Sequence, residues 1–226
     1  MTGGSPRTLG YPRWGLAGAG VIVLATLASA IPYRGLTAEA YSPLNHFVSE
    51  LGQEGVSALA GVFNAGLISG GLLLAAFMVG LGAYLENPVA YAASAVGVLS
   101  ALACSLVGVF PMDHLRQHVA AAMWFFRSGM AAIALFSLAV AVDRKRKSTK
   151  WFVLPGILVT ASFALFLFMP GRALPSGTSI LDPSQFARPA FWWAAVLEWL
   201  VFAAVIGWIV LVCVRGLRRG QPQHSG

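Results

Sequence analysis

Charge is the first thing this sequence lacks. Of its 226 residues only 10% are Asp, Glu, Lys or Arg, while 58% are hydrophobic. Soluble domains carry roughly a quarter charged residues, so the shortage excludes an ordinary water-soluble domain. Cysteine is nearly absent too. Cys104 lies near one end of its apolar run and Cys213 near the opposite membrane face, which argues against a disulfide. Also missing is any Gly-rich phosphate loop or dinucleotide fingerprint. The net charge of +7 would suit nucleic acid, but the basic residues cluster beside apolar runs, as they do in cytoplasmic loops near anionic head groups. The expected partner is therefore membrane lipid, with no nucleic acid.

Long apolar runs are what the chain has instead. They cover residues 14–31, 56–85, 88–110, 119–142, 151–169 and 191–214, each about the length needed to cross a bilayer. The chain reads as an all-α polytopic membrane protein of six transmembrane helices. Residues 14–214 form one membrane domain, between a disordered tail at 1–13 and a basic tail at 215–226. Ala28-Ser29-Ala30 also has the form of a signal-peptide cleavage site, but the first run is long for a signal core and five further spans need no cleaved leader. The N-terminal tail, the 143–150 loop (Arg144, Lys145, Arg146, Lys147, Lys150) and the tail with Arg215, Arg218 and Arg219 are basic. The other three long connections carry mixed or acidic charge. The positive-inside rule then predicts a multi-pass protein of the cell membrane with both termini cytoplasmic. Spacings such as Gly66–Gly70 and Gly97–Ala101 predict close packing between spans.

The first outer loop should hold a short amphipathic helix over 42–52, with Ser42 as N-cap, Pro43 at its first position and Gly52 as its stop. Leu44, Phe47, Val48 and Leu51 fall on one apolar face. The other side carries Asn45, His46, Ser49 and Glu50. Residues 108–118 read Gly-Val-Phe-Pro-Met-Asp-His-Leu-Arg-Gln-His. There His114 and His118 are four apart, so on a helix they share a face. His46, Glu50, Asp113, His114 and His118 thus all land at the extracytoplasmic boundary. Counted from the ends of their runs, Asn64, Arg127 and Glu198 lie at matching depth, roughly 12–14 Å below that surface. Charges so deep are expensive unless paired, which predicts an Arg127–Glu198 pair with Asn64 as a third member. Each group also has a structural reading: Asp113 as the cap of span four, His46 and Glu50 as the wet face of an interfacial helix, His114 and His118 as interfacial residues, and Arg127 with Glu198 as a clamp.

The sequence resembles a family of small bacterial and archaeal membrane proteins catalogued as domain of unknown function nine-hundred-ninety-eight. The resemblance rests on Ser42-Pro43-Leu44-Asn45-His46-Phe47-Val48-Ser49-Glu50-Leu51-Gly52, on Phe63-Asn64-Ala65-Gly66-Leu67, and on Gly108-Val109-Phe110-Pro111 with His114 and His118. It implies a six-helix bundle and marks those polar positions, but implies no activity. A weaker likeness is to the ceramidase-type membrane hydrolases, which hold zinc with histidines but have seven spans.

Three functions follow from these residues. In a metal-dependent hydrolase of a lipid-like substrate, His46, His114 and His118 would hold a divalent ion, zinc by preference, with Asp113 or Glu50 as fourth ligand or general base. In a metal-free isomerase or cyclase of an isoprenoid, Asp113 or Glu50 would be the acid, within walls of Phe125, Phe126, Trp192 and Trp193. The third is a carrier or lipid-binding protein using Arg127 and Glu198 as a buried switch. The sequence reading leans to the hydrolase.

Overall fold

The six apolar runs become six helices. In the computed structural model, which describes residues 10–143, 150–169 and 188–219, they are α1 (Tyr11–Ala30), α2 (Ala60–Leu85), α3 (Pro88–Val109), α4 (Leu115–Ala141), α5 (Val153–Phe168) and α6 (Trp193–Arg219). All are long and apolar enough to cross a membrane once the short helical turns leading into α4 and α5 are counted. Of the tails expected at 1–13 and 215–226, residues 11–13 belong to α1 and 215–219 to α6, and the rest of each but Gly10, with the basic residues 144–147 and most of the connection before α6, lies outside the described residues.

Local chemistry sets several ends. α3 starts on Asn87, whose side chain accepts from the Ala90 amide, with Pro88 in the first turn, where its missing N–H costs nothing. Neighbouring helices pack side by side in chain order, and α6 returns against α1, so the bundle closes into a ring. Glycine permits the tightest crossing. A β-carbon on Gly66 would overlap Ala25, and one on Gly70 would overlap Ile22. The small-residue spacing therefore marks the α1–α2 seam, where dispersion over closely approaching backbones replaces the hydrophobic drive that lipid does not supply.

Tyr11 at the start of α1 meets Gly216 near the end of α6, so both ends of the described chain lie at one end of the ring. The opposite end is covered by residues 31–59. The expected α-helix over 42–52 is there a turn at 42–46 followed by a short 3₁₀ helix, Val48–Gly52. We call this end the roof and the 3₁₀ segment the roof helix. It touches α1, α2, α6 and the turn Met112–His114, so the loop does fold over the mouth of the bundle. Its expected sidedness is reversed in part. Val48 and Leu51 are buried, but Leu44 is 53% exposed while His46 and Glu50 are 1% and 2% exposed. A 3₁₀ turn advances about 120° per residue rather than 100°, so the α-helical face count does not carry over.

Candidate functional site

The roof is organised around two carboxylates, one above the roof helix and one below it. Glu50 takes the backbone N–H of Phe47 at 2.8 Å, which caps its own helix. It also accepts two hydrogen bonds from Arg188, from Nη1 at 3.1 Å and Nη2 at 2.6 Å. Such a two-pronged pair is the geometry in which a guanidinium best offsets the desolvation of a buried carboxylate. Arg188 Nη1 also donates to the Asn45 carbonyl, and Arg188 Nε lies 3.8 Å from Glu39. One arginine just ahead of α6 therefore ties the first connection to the last.

His46 lies inside this cluster. The Asn45 amide nitrogen donates to the Pro189 carbonyl, which turns Asn45 Oδ1 towards His46 Nδ1 at 2.8 Å, and the Ser42 amide points at the same Nδ1 at 3.2 Å. His46 Nε2 faces Glu39 Oε1 at 3.5 Å, is buried, and has no hydrogen-bond partner. Burial tends to raise the Glu39 carboxyl, but hydrogen bonds from the Thr37 hydroxyl and from backbone amides outweigh it and hold Glu39 below its ordinary value of 4.5. Tyr33 and Tyr41 pack around the His46 ring at centroid distances of 5.4 and 5.2 Å. Burial pushes both phenols up, and the Glu50 charge adds to the shift of Tyr33. Tyr41 donates to the Phe47 carbonyl and receives the Trp199 indole N–H.

Below the roof helix, Glu198 of α6 accepts the Val48 amide at 2.6 Å and the Ser49 amide as well. It caps the end where those N–H groups have no partner within the helix. At the other end of the helix, Asn64 Nδ2 donates to the Gly52 carbonyl at 3.0 Å. Glu198, His118 and Ser49 share the wall of a cavity of about 100 Å³, whose remaining lining is apolar and includes Phe63, Phe125 and Phe126. His118 Nδ1 donates to the Phe110 carbonyl at 2.8 Å across the α3–α4 turn. That fixes its proton on Nδ1 and leaves Nε2 as an acceptor in the neutral ring.

The expected Arg127–Glu198 pair does not form. From the helix starts, Asn64 is four residues into α2 and Glu198 five into α6, roughly 6 and 8 Å down, whereas Arg127 is twelve into α4, roughly 18 Å. Residues 56–59 belong to the loop, and α4 starts before its apolar run, so counting from run ends shifted all three depths. Arg127 is exposed, opposite the buried Phe126, Ser128 and Gly129 face of α4.

His46, His114 and His118 are not brought together. His46 is turned into the cluster above the roof helix, His118 lines the cavity, and His114 is exposed. Among the described residues no group of three His, Cys, Asp or Glu could hold a metal ion. Asp113 is exposed and accepts the Glu54 amide at 2.7 Å, pinning the loop rather than capping α4. Of the expected aromatic walls, Phe125 and Phe126 line the cavity, while Trp192 packs on Phe47 and Trp193 on Phe191. Sequence reasoning missed Arg188, Glu39, Tyr33 and Tyr41. The one available signal was an arginine directly before a span, on a connection facing acidic residues.

The three stretches that carried the family resemblance meet at this roof: Gly52 on Asn64, Gly108 against the Asn64 backbone, and Phe110 on His118. A family model described as "Protein of unknown function (DUF998)" matches residues 12–215. The chain belongs to this family. Comparison with curated proteins and with solved structures gives no match. In this DUF998 member Glu50, His46 and Arg188 belong to a charge-paired cluster above the roof helix, and Glu198, His118 and Ser49 to a cavity below it.

Proposed function

We propose that the protein is a lipid-binding protein of the cell membrane, which takes the apolar chain of an amphiphile into its ring beneath the roof. The observation that carries this reading is the apolar cavity of about 100 Å³ with Glu198, His118 and Ser49 in its wall. Somewhat larger apolar cavities take up small hydrocarbon guests, and polar groups at one end would orient such a guest. The distribution of basic residues supports an extracytoplasmic roof: Arg13, Lys150 and Arg215 lie toward the opposite end. Mass spectrometry of lipid released from purified protein tests the reading. One amphiphile per chain is expected from the native protein and none from Ala122→Trp, which fills the cavity. Native protein that releases no amphiphile would overturn it.

One observation favours a second reading, acid–base chemistry on an isoprenoid. His118, its proton placed on Nδ1, has its free nitrogen on the same cavity wall as a carboxyl, and those are the acid and base an isomerase or cyclase needs. Glu198 and His118 take that part here in place of Asp113 and Glu50. Incubation with a prenyl alcohol in D₂O distinguishes the two: an isomerase incorporates deuterium into the chain, and a binding protein returns it unlabelled.

A further inference from the structure

Every described charge but one sits near the end of its helix or outside the spans. Arg13 and Arg116 lie in the first turns of α1 and α4, Arg215 in the last turns of α6, and Glu198 five residues into α6 beneath the roof. Arg127 stands apart, twelve residues from the start of α4 and fourteen from its end, roughly 18 and 21 Å. Its level in the bilayer follows from α3, which runs alongside. Phe110 just after α3 meets His118, and Asn87 just before it meets Ala139. Residues 118–139 therefore cover the height of α3, and Arg127 lies near their middle.

Arg127 faces outward. From residue 124 to residue 138 the exposed positions of α4 are Trp124, Arg127, Ala131, Ala134 and Leu138, one stripe on the outer side of the ring. Among the described residues Arg127 has no hydrogen-bond or ion-pair partner. Arginines inside spans face a bundle interior, water or a paired group, and only those near helix ends snorkel to the head groups. Within this chain Arg127 has none of these.

Charge and shape together say what covers it. A second copy related by the two-fold axis of a membrane dimer brings its own Arg127 to the same level, and no described span holds an Asp or Glu near its middle. A lipid phosphate is half the hydrocarbon thickness away, about 15 Å. The complementary group is a carboxylate carried at mid-span by another protein. Ala131 and Ala134 let a backbone approach closely, as helix contacts in membranes require, whereas the outer faces of α2, α3 and α5 present Leu72, Leu99 and Leu158.

We propose that the outer face of α4, Arg127 with Ala131 and Ala134, docks a transmembrane helix of a partner protein that bears an Asp or Glu near its middle. The carboxylate pairs with the Arg127 guanidinium, and the partner backbone lies against the two alanines. The contact is separate from the cavity beneath the roof and does not depend on what that cavity holds.

The test is energy transfer between the labelled full chain in phosphatidylcholine vesicles and labelled synthetic Leu/Ala helices of about 21 residues. One peptide carries a central Glu, a second has Leu there, and a third has its Glu moved about six residues, roughly 9 Å, towards one end. The central-Glu peptide should associate about tenfold more tightly than the other two. Arg127→Leu should remove that advantage. Ala131→Trp, which keeps the charge and fills the space beside it, should weaken the association, and thermal unfolding in detergent confirms that both variants are folded. Equal association of the three peptides, or an advantage that survives Arg127→Leu, overturns the proposal. No response to Ala131→Trp overturns the assignment to the alanine side. Native chains that pair with one another in these vesicles, and stop pairing in Arg127→Leu, would make the occupant a second copy and overturn the choice of partner.

Discussion

Above the roof helix, Glu50 is met by a guanidinium through two hydrogen bonds and by a backbone amide, whereas below it Glu198, His118 and Ser49 line an otherwise apolar cavity. Both sites are made of similar residue types, a glutamate and a histidine within a few residues of the same short helix. They differ in what meets the carboxyl group: a cation at Glu50, and backbone alone at Glu198. A buried carboxylate with a matched cation holds structure together, because its desolvation is offset inside the fold. Polar groups on the wall of a cavity leave hydrogen-bonding capacity for a guest. Among the charged groups of the roof, the upper set therefore reads as a latch and the lower set as a binding end.

The comparison breaks most visibly at Arg188. Replacing it with Met leaves the nearly buried Glu50 carboxylate without its cation, and unfolding in detergent should show a loss of about 3–5 kcal/mol. The double variant Arg188→Met with Glu50→Leu should recover much of that loss, since the orphaned charge is then gone. If the single variant is as stable as the native chain, the upper cluster is no latch.

Glu198→Ala should cost less, about 1–2 kcal/mol, because it removes a cap rather than a buried ion's partner. It should also loosen the roof, so that a cysteine introduced at Ser49 reacts faster with an impermeant thiol reagent than in the native background. Unchanged reactivity would mean that the roof helix is held without Glu198.

A smaller effect is expected from Thr37→Val, and it should depend on pH. The Thr37 hydroxyl donates to Glu39 at 2.7 Å and helps keep that carboxyl below its ordinary value. A carboxyl lowered on folding contributes stability above its unfolded value and loses it as pH falls through the folded one. Native and Thr37→Val proteins should therefore differ near neutral pH and converge as pH falls through the lowered Glu39 value. A difference that persists in acid would assign the role of Thr37 to packing.

The smallest change is expected at Arg127. As it lies on the outside of α4 and makes no pair with Glu198, Arg127→Leu should cause no loss of stability. A loss as large as that of Arg188→Met would restore the interior pair that the sequence suggested.

Much of the fold was legible from composition and run length alone. In a bilayer each backbone N–H and C=O must be satisfied within its own helix, so an apolar run of sufficient length is already a span. The Gly66–Gly70 seam was legible for a similarly local reason, a close approach between small residues. That Val48 and Leu51 would be buried was legible too, since they fall on the apolar face of residues 42–52.

What the tertiary structure decided is how the polar residues are paired. Glu198 was expected to meet Arg127 because their positions in the apolar runs matched, but run ends are not helix ends, and a few residues of offset moved Arg127 roughly 10 Å deeper than Glu198. Which way a histidine points depends on backbone groups far along the chain: Phe110 for His118, and Pro189 acting through Asn45 for His46. Arg188 and Glu50 are 138 residues apart, and no local spacing rule relates them. Helix formation is local and shows in a single stretch of sequence. The partner of a buried charge is set by ring closure, which brings the start of α6 beside the loop that follows α1.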